Sequence, residues 1–581
     1  MKAKAQRLSG RRANPVHTGE AVARAARERS EQERALGWPD ERRGVSALRA
    51  ALGFLAARLS SGWTVVALIA AALLAVWLPD LGLPLGNSDD GRILGLFGLQ
   101  ARNFWELGVV DSRFGAAVEP YVRAVYDVAP RAEPPLVAVT YAHHPPLQVF
   151  MSVMSTGILG DSAAALRVPS LLVGAATVVF MASLLRGRGL AWGPTLLAVA
   201  AMASTGFYYV YARVSVSFSL QLAAIAAVSW ALRHAEPHRR HTLVVAGFAA
   251  LAAMQSWIGI AAMGLVMLWL LAAGNRGSSE PPGGGSGPSV DAVLAARPRR
   301  LAVSWPSGGR QRLLAAVAAG TALGAGTTAL WMLNAAGVED LANQVAIRTS
   351  NEVGGTSGPT FTFGEFLARQ WRFATEEMLV PVWLRVLLVP CLLAGLIDRR
   401  TRAPTAITLA VAAALTFGVQ QGAWVHRLWN FPWLAPVTIG FAALADWVRR
   451  PIPRRWRPLP AALAAVVIAG TLVAVASGST RQRYITDPAD AGTVLEQVGR
   501  LSGSELAWAV PPVTSPTWVS YYLGTRVIDL NEDNLGDLDE SDVVVLSADR
   551  VPDYFPDGAL SNPLAVHGDF VVISASRLLP Q

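Results

Sequence analysis

The sequence predicts an α-helical polytopic membrane protein that carries a small α/β domain at its C-terminal end. Of its 581 residues, 52% are hydrophobic and 16% are charged, whereas soluble domains usually carry about 25% charged residues. Several apolar runs approach the ~20 residues that cross a bilayer as a helix. After Ser477, short apolar stretches such as "DVVVLS" and "DFVVIS" alternate with turn-like segments, a pattern typical of strands.

The hydrophobic runs predict about 11 membrane crossings. The run from His241 to Gly274 would extend about 50 Å as one helix, against about 30 Å of hydrocarbon. We therefore predict two helices with a turn near Gln255 to Trp257. The predicted spans lie near 62–80, 164–185, 191–211, 214–232, 242–256, 258–274, 312–334, 380–397, 403–421, 430–448 and 459–477.

Lys and Arg concentrate in one set of loops, which predicts that these loops face the cytoplasm. The spans alternate correctly only if the segment 143–160, which begins with two prolines, does not cross. We expect an interfacial or re-entrant helix there, an N-terminus inside and a C-terminus outside. The basic segments are the N-terminal tail, Arg186–Gly189, Arg233–His241, the Gly/Pro/Ser-rich insert, Asp398–Arg402 and Arg449–Arg457.

This topology divides the chain into three parts. Residues 1–60 form a cytoplasmic tail, 61–477 a transmembrane domain, and 478–581 an extracytoplasmic α/β domain of roughly 100 residues. Within the transmembrane part, 81–163 is a first outer loop with interfacial helices, 275–311 a flexible cytoplasmic insert, and 335–379 a second outer loop.

Charge and cysteine content exclude several kinds of function. The net charge of +9 follows from the basic cytoplasmic loops, so it does not indicate a nucleic-acid partner. The single cysteine, Cys391, rules out an intrachain disulfide framework and a cysteine-based metal site.

An acidic pair follows the first span in "GNSDDGRILGLFGLQARNFWELG". Asn87 or Ser88 can cap a helix whose first turn holds Asp89 and Asp90, where the helix dipole favours carboxylates. One interpretation is that both carboxylates only cap the helix. The other is that an exposed carboxylate at the membrane surface acts as a general base.

Basic and imidazole side chains recur at the predicted outer face. His143 and His144 precede two prolines in "YAHHPPLQVF", whose rings fix the backbone; the imidazoles can bind a metal, donate to a phosphate, shuttle protons or simply belong to a polar loop. Arg213, in "YYVYARVSVSF", either reaches to the interface or binds an anion. His426 and Arg427, in "QGAWVHRLWNFPWLAPV", depart from the positive-inside trend.

Four separate elements thus place Asp, His and Arg at one face of the membrane. Such a set suits an anionic group on a lipid, such as a phosphate or pyrophosphate. The residues alone leave the reaction class open.

The order of these motifs resembles that of the GT-C membrane glycosyltransferases of glycosyltransferase family 39, which include protein O-mannosyltransferases and the aminoarabinose transferase acting on lipid A. The resemblance covers roughly residues 60 to 450. It rests on the acidic pair with "ARNFWELG", then "HHPPL", "LRVPSLLVG", Tyr211-Ala212-Arg213 and "HRLWNFPWLAP".

The resemblance implies a reaction at the outer face of a bacterial cytoplasmic membrane. A polyprenyl-phosphate sugar donor enters from the bilayer, and the acceptor, a glycan, lipid or protein, arrives from water. Inversion at the sugar and a divalent metal ion are further expectations. The implied catalytic residues are Asp89, as base, and Asp90. The implied donor-phosphate ligands are His143, His144, Arg213, His426 and Arg427. The implied substrate pocket includes Arg102, Tyr141 and Tyr211, and the metal candidates are Asp89 and His143.

The sequence departs from the family pattern at four places. Asp90 stands where Glu is usual, and Ser217 where an aspartate is common. His143 and His144 stand where Glu and Lys are common. These departures leave the metal site and the identity of the sugar open.

Two other functions fit the composition. A transporter or flippase for lipid-linked glycans also needs many spans and a basic cavity, although such proteins usually show paired repeats and broken helices near the bilayer midplane. A non-catalytic scaffold for assembly of the cell envelope is the other alternative. Replacing Asp89 with Asn separates an enzyme from a scaffold, since only the enzyme depends on that carboxylate.

Overall fold

The computed structural model describes only part of the chain in detail. The described residues are 24, 62–118, 140–141, 144–214, 216–234, 237–274, 308–335, 342, 345–346, 349–351, 360–373, 386–451, 478, 481–501, 506–510, 517–530, 532–550 and 563–577. His143, the predicted span 459–477 and nearly all of the tail 1–60 and the insert 275–311 lie outside them. Residues Val65–Gln581 form one compact unit.

Apolar helices dominate the described residues, as the composition predicts. Their bounds are α1 Gly62–Trp77, α2 Asp89–Asp111, α3 Leu147–Leu159, α4 Ala163–Gly187, α5 Trp192–Ala203, α6 Gly206–Tyr211, α7 Ser217–Ala231, α8 Arg239–Gln255, α9 Trp257–Gly274, α10 Gly308–Ala335, α11 Phe363–Arg372, α12 Leu388–Ile397, α13 Arg402–Gly418, α14 Gln420–Val425, α15 Leu434–Arg449, α16 Asp487–Val498 and α17 Thr517–Leu523. Short 3₁₀ or π turns include Leu78–Asp80, Arg427–Trp433 and Gln482–Thr486.

Four helices among the described residues are long and apolar enough to cross a bilayer, namely Gly62–Asp80, Ala163–Gly187, Gly308–Ala335 and Arg427–Arg449. The total of about 11 crossings remains a prediction from hydropathy. The predicted break between Gln255 and Trp257 is confirmed, because α8 ends at Gln255 and α9 begins at Trp257. Ser256 between them accepts the backbone N–H of Gly259 at 2.9 Å, which caps α9.

The segment after the two prolines forms α3, a helix of 13 residues. At 1.5 Å per residue it is about 20 Å long, shorter than the hydrocarbon core. This length fits the interfacial or re-entrant helix that the loop charges predict.

The turn that carries Tyr211 and Arg213 is held against the membrane-spanning helices. A Cβ on Gly174 of α4 would lie 2.3 Å from the carbonyl oxygen of Ala212, so the close approach requires glycine. The hydroxyl of Tyr208 donates to the Gly174 carbonyl at 2.6 Å, and Trp77 Nε1 donates to the Tyr209 carbonyl at 3.1 Å. The turn is therefore rigidly placed relative to α1 and α4.

A five-stranded sheet forms in the described residues of the C-terminal part, as the alternating pattern predicts. Its order is β2-β1-β3-β5-β4, with β2, β1 and β3 parallel and β3, β5 and β4 antiparallel. The register aligns Val545 of β3 with Val572 of β5. The strands are β1 Ala507–Ala509, β2 Val527–Asp529, β3 Val543–Ser547, β4 Ala565–His567 and β5 Phe570–Ser574.

The sheet and its helices share a buried core with α2. Leu94 and Leu99 of α2 pack in one cluster with Val494 of α16 and Trp518 of α17. A Cβ on Gly95 would lie 2.8 Å from the Cα of Trp518, so the two helix backbones are nearly in contact. The C-terminal part thereby fixes the helix that begins at Asp89.

Candidate active site

The acidic pair begins α2, as its capping pattern predicts. Ser88 is the N-cap and accepts the backbone N–H of Gly91 at 3.2 Å. Asp89 and Asp90 occupy the first turn, where the partial positive charge of the helix N-terminus favours carboxylates. The two side chains nevertheless point to different partners, so capping alone does not describe them.

Asp89 has the more accessible of the two carboxylates, with 19% of its side chain exposed against 9% for Asp90. Its Oδ1 accepts from Arg92 Nη2 at 3.1 Å, and its Oδ2 accepts from the Tyr211 hydroxyl at 3.0 Å. Arg92 Nη1 also lies 2.6 Å from Nδ1 of His426. Sequence reasoning missed Arg92, although its i,i+3 spacing from Asp89 is a recognisable signal for an ion pair.

Asp90 belongs to a buried ion pair. Its Oδ2 accepts from Arg167 Nε at 3.0 Å and from Nη2 at 2.7 Å. Arg167, from the "LRVPS" motif, also donates to the carbonyls of Leu81, Leu83 and Pro84. One guanidinium thus ties the loop before α2 to the first turn of that helix, a role suited to the several planar donors of arginine.

A second buried carboxylate, Asp80, holds Arg213. Arg213 is 2% exposed and Asp80 0%, and Nη1 of Arg213 donates to Oδ2 of Asp80 at 2.9 Å. The hydroxyl of Tyr209 donates to the same oxygen at 2.9 Å, and Arg481 Nε donates to Oδ1 at 2.8 Å. The hydrogen bond to Asp80 raises the pKa of the Arg481 guanidinium.

This cluster combines two guanidinium groups with one carboxylate, so it retains a net positive charge. Nη2 of Arg213 is buried and has no hydrogen-bond partner within the described part of the chain. A buried unpartnered donor is costly, and an anion beside it would satisfy the group. Sequence reasoning found Arg213 but missed Asp80, which reads as the polar end of the first span.

A polar cavity of about 130 Å³ lies between these groups. The loop before α2, the turn after α6, the segment at Arg427 and the start of the C-terminal part all contribute to its wall. The lining residues are Asn87, Ser88, Asp89, Asp90, Val210, Tyr211, Arg213, Val214, Arg427, Tyr484, Ile485 and Pro488. Arg427 lies over the ring of Tyr484, with 5.1 Å from its guanidinium carbon to the ring centroid.

A larger cavity of about 370 Å³ shares Val214 with the polar one. Its wall is mainly aliphatic and aromatic, and polar groups come from His144, Gln148, Ser217, Gln255, Ser256 and Thr349. The apolar lining includes Ile93, Phe97, Val214, Phe218, Trp257, Ile258, Leu415, Val419, Leu428, Trp429 and Phe431. An apolar compartment therefore lies directly beside a polar, cationic one.

Most of the predicted site residues line one of the two cavities. Asp89, Asp90, Tyr211, Arg213 and Arg427 line the polar cavity. His144 lines the apolar cavity, and its ring centroid lies 5.8 Å from that of Tyr141. His426 is placed beside Arg92, and His143 lies outside the described residues.

Arg102 and Tyr141 are absent from the described linings of both cavities. Arg102 lies further along α2, where Nε donates to Asp161 at 2.9 Å and Nη1 to the Tyr521 carbonyl at 2.7 Å. The Tyr141 carbonyl accepts from Gln100 at 2.8 Å. Both residues thus join α2 to its neighbours, a function that the local sequence does not show.

The described residues contain no group of three or more His, Cys, Asp or Glu arranged to hold a metal ion. Both oxygens of Asp89 already accept hydrogen bonds, from Arg92 and Tyr211. A metal between Asp89 and His143 remains a prediction, because His143 lies outside the described part.

No family model and no curated protein sequence matches this chain. Its structure is similar to that of ArnT from Cupriavidus metallidurans in the apo state, with a TM-score of 0.57 and 15% identity over 90% of this chain and 100% of ArnT. ArnT bound to undecaprenyl phosphate gives a TM-score of 0.55 and 14% identity over the same shares.

The chain has the GT-C fold. The similarity confirms the GT-C fold that the motif order predicts. It also extends beyond residue 450, because 90% of the chain is covered. Together with the long apolar helices, the GT-C fold identifies a polytopic membrane protein. At this level of identity the comparison establishes the fold alone.

Proposed function

We propose that this protein is a membrane glycosyltransferase that moves a sugar from a polyprenyl-phosphate donor to an acceptor on the outer face of a bacterial cytoplasmic membrane. The observation that carries the proposal is the placement of Asp89. Its accessible carboxylate lines a cationic polar cavity that shares Val214 with an apolar cavity.

The paired cavities suit an amphipathic donor. A prenyl chain gains free energy by leaving water for an apolar compartment, while its phosphate requires cationic or N–H donors. The GT-C neighbour ArnT has been seen bound to undecaprenyl phosphate, a lipid of this chemical class. We assign the prenyl segment to the apolar cavity beside His144 and the phosphate and sugar to the polar cavity.

Arg213 and Arg427 are the groups proposed to bind the phosphate. Arg213 and Arg427 both line the polar cavity, and the buried Nη2 of Arg213 has no hydrogen-bond partner among the described residues. Guanidinium–phosphate hydrogen bonds are charge-assisted and directional. His144, in the wall of the apolar cavity, and His143 remain proposed ligands of the donor phosphate. We assign His426 to orienting Arg92.

Asp89 is proposed as the general base. An acceptor hydroxyl or amine gives its proton to the carboxylate while its oxygen or nitrogen attacks the anomeric carbon. The bond from that carbon to the phosphate oxygen breaks, and its electron pair remains on the departing polyprenyl phosphate. Tyr211 and Arg92, which hold the two oxygens of Asp89, orient the carboxylate.

We assign Asp90 an indirect role, in which it helps to hold the first turn of α2 in place. Its carboxylate is paired with Arg167, which also fixes three carbonyls of the preceding loop. This leaves one accessible carboxylate in the first turn, which favours a single displacement with inversion. No step in this mechanism requires a metal ion.

Substituting Asp89 tests the proposal directly. In proteoliposomes that contain a polyprenyl-phosphate sugar fraction and a cell-envelope acceptor extract, the wild type should release free polyprenyl phosphate. Asp89→Asn should reduce this release by at least about 100-fold, the scale of general-base catalysis. Asp111→Asn, at the exposed opposite end of α2, is the matched control and should retain wild-type release. Equal release by both variants contradicts the proposal.

A further inference from the structure

The helix α11, Phe363–Arg372, has three chemically different faces. One face is an apolar stripe of Phe363, Leu367 and Trp371, which follow i,i+4,i+8 spacing. These residues are 59%, 42% and 64% exposed. The second face is buried and contains Phe366 and Gln370, which are 0% and 7% exposed. At roughly 100° per residue, Glu365 and Arg372 fall opposite the apolar stripe.

The buried face of α11 is fixed to the segment that carries His426 and Arg427. Gln370 Nε2 donates to the Ala423 carbonyl at 3.1 Å, and Arg369 Nε donates to the Trp424 carbonyl at 2.7 Å. Gln370 Oε1 in turn accepts from Asn430 at 2.7 Å. The position of α11 is therefore coupled to the wall of the proposed active site.

The N-terminus of α11 is closed by a capping box. Glu365 accepts the backbone N–H of Thr362 at 2.7 Å, and the Thr362 hydroxyl oxygen accepts the backbone N–H of Glu365 at 3.2 Å. This device defines where a short helix begins without help from neighbouring elements. The helix is 10 residues long, about 15 Å, and so cannot span a bilayer.

Helix α11 packs through its buried face against α13, which carries an exposed apolar row of its own. Ala406, Ala410, Ala414 and Phe417 are exposed along one side of α13. Phe417, at the end of this row, contacts Phe366 of α11, with ring centroids 6.1 Å apart. On a membrane protein such a row faces lipid, because exposing apolar side chains to water is unfavourable.

We propose that α11 lies along the polar–apolar interface of the lipid bilayer, with Phe363, Leu367 and Trp371 inserted among the acyl chains. The helix is held at the end of the lipid-facing row of α13 by the contact between Phe366 and Phe417. Trp371 supplies an aromatic group typical of membrane interfaces. Glu365 and Arg372 face water from the opposite side, as in other interfacial helices.

Spin-label accessibility in a bilayer tests this proposal independently of any catalytic activity. Cys391 is the only cysteine in the sequence and is buried, so Cys391→Ala gives a background for single labels. Nitroxides are placed at Phe363→Cys, Leu367→Cys and Trp371→Cys in the full chain, reconstituted in phosphatidylethanolamine–phosphatidylglycerol nanodiscs. Arg372→Cys is the water-facing reference on the same helix, and Ala410→Cys is the lipid-facing reference on α13.

We expect labels on the stripe to resemble the Ala410→Cys label, with higher accessibility to oxygen than to a water-soluble nickel chelate. The Arg372→Cys label should show the reverse order. Nickel accessibility on the stripe equal to that at Arg372 would place the helix in water and overturn the proposal. Labels that neither reagent reaches would show that protein covers the stripe, which overturns it equally.

Discussion

The hydroxyl of Tyr211 donates to Oδ2 of Asp89 over 3.0 Å, joining the turn after α6 to the first turn of α2. This bond fixes the rotamer of the proposed base. Tyr211→Phe keeps the ring and removes the donor, so we expect turnover to fall by about 3- to 10-fold, the equivalent of one hydrogen bond. The release of polyprenyl phosphate measures the effect, and an unchanged melting temperature confirms an intact fold. Wild-type turnover in Tyr211→Phe would show that this bond does not orient Asp89.

The carboxylate of Asp80 is the counter-charge for Arg213 and Arg481. Asp80→Asn would leave Arg213 charged and buried, so we expect the free energy of unfolding to fall by about 3–5 kcal/mol. Thermal unfolding in detergent measures the loss. The exposed Asp111→Asn should change the free energy of unfolding by less than about 0.5 kcal/mol. Similar melting of the two variants would mean that Asp80 is not the partner on which Arg213 depends.

Arg167 connects Asp90 to three carbonyls of the loop before α2. Lysine keeps the charge but cannot reproduce this planar set of donors. We expect Arg167→Lys to lower the free energy of unfolding by about 1–3 kcal/mol, because buried carbonyls would lose their partners. A melting temperature equal to that of the wild type would contradict the clamping role of Arg167.

Gly95 marks the closest approach of α2 to the C-terminal part, where an added Cβ would lie 2.8 Å from the Cα of Trp518. Gly95→Ala should therefore destabilise the protein by about 1–3 kcal/mol through overpacking. It should also increase protease cleavage of the C-terminal part. The control is Gly82→Ala, whose added Cβ would meet no atom within 4 Å. If both substitutions are tolerated equally, α2 and α17 pack less tightly than the structure indicates.

Local sequence patterns were sufficient to predict several features of the fold. A helix cap at Asn87 or Ser88, which the structure assigns to Ser88, follows from signals within a few residues, as does the first-turn position of Asp89 and Asp90. The break predicted near Gln255 to Trp257 falls at Ser256. The alternating apolar stretches near the C-terminus predicted strands that the structure confirms, among them Val543–Ser547 and Phe570–Ser574.

Contacts between distant parts of the chain could not be predicted in this way. Arg213 reads as an isolated cation in the sequence, yet its partner Asp80 lies 133 residues earlier. Arg102 stands in the helix of the acidic pair, but its partner Asp161 lies 59 residues later. Pairings of this length depend on how the helices pack, which hydropathy and capping signals do not specify.

Native mass spectrometry of purified Asp89→Asn protein tests the central claim most directly, because loss of the base should trap the donor in the site. We predict that this variant retains a polyprenyl phosphate still linked to its sugar, and that the mass identifies the sugar. The wild type, incubated with acceptor extract, should instead carry free polyprenyl phosphate. Retention of phospholipids alone by both proteins would contradict the claim that these cavities hold a polyprenyl-phosphate sugar donor.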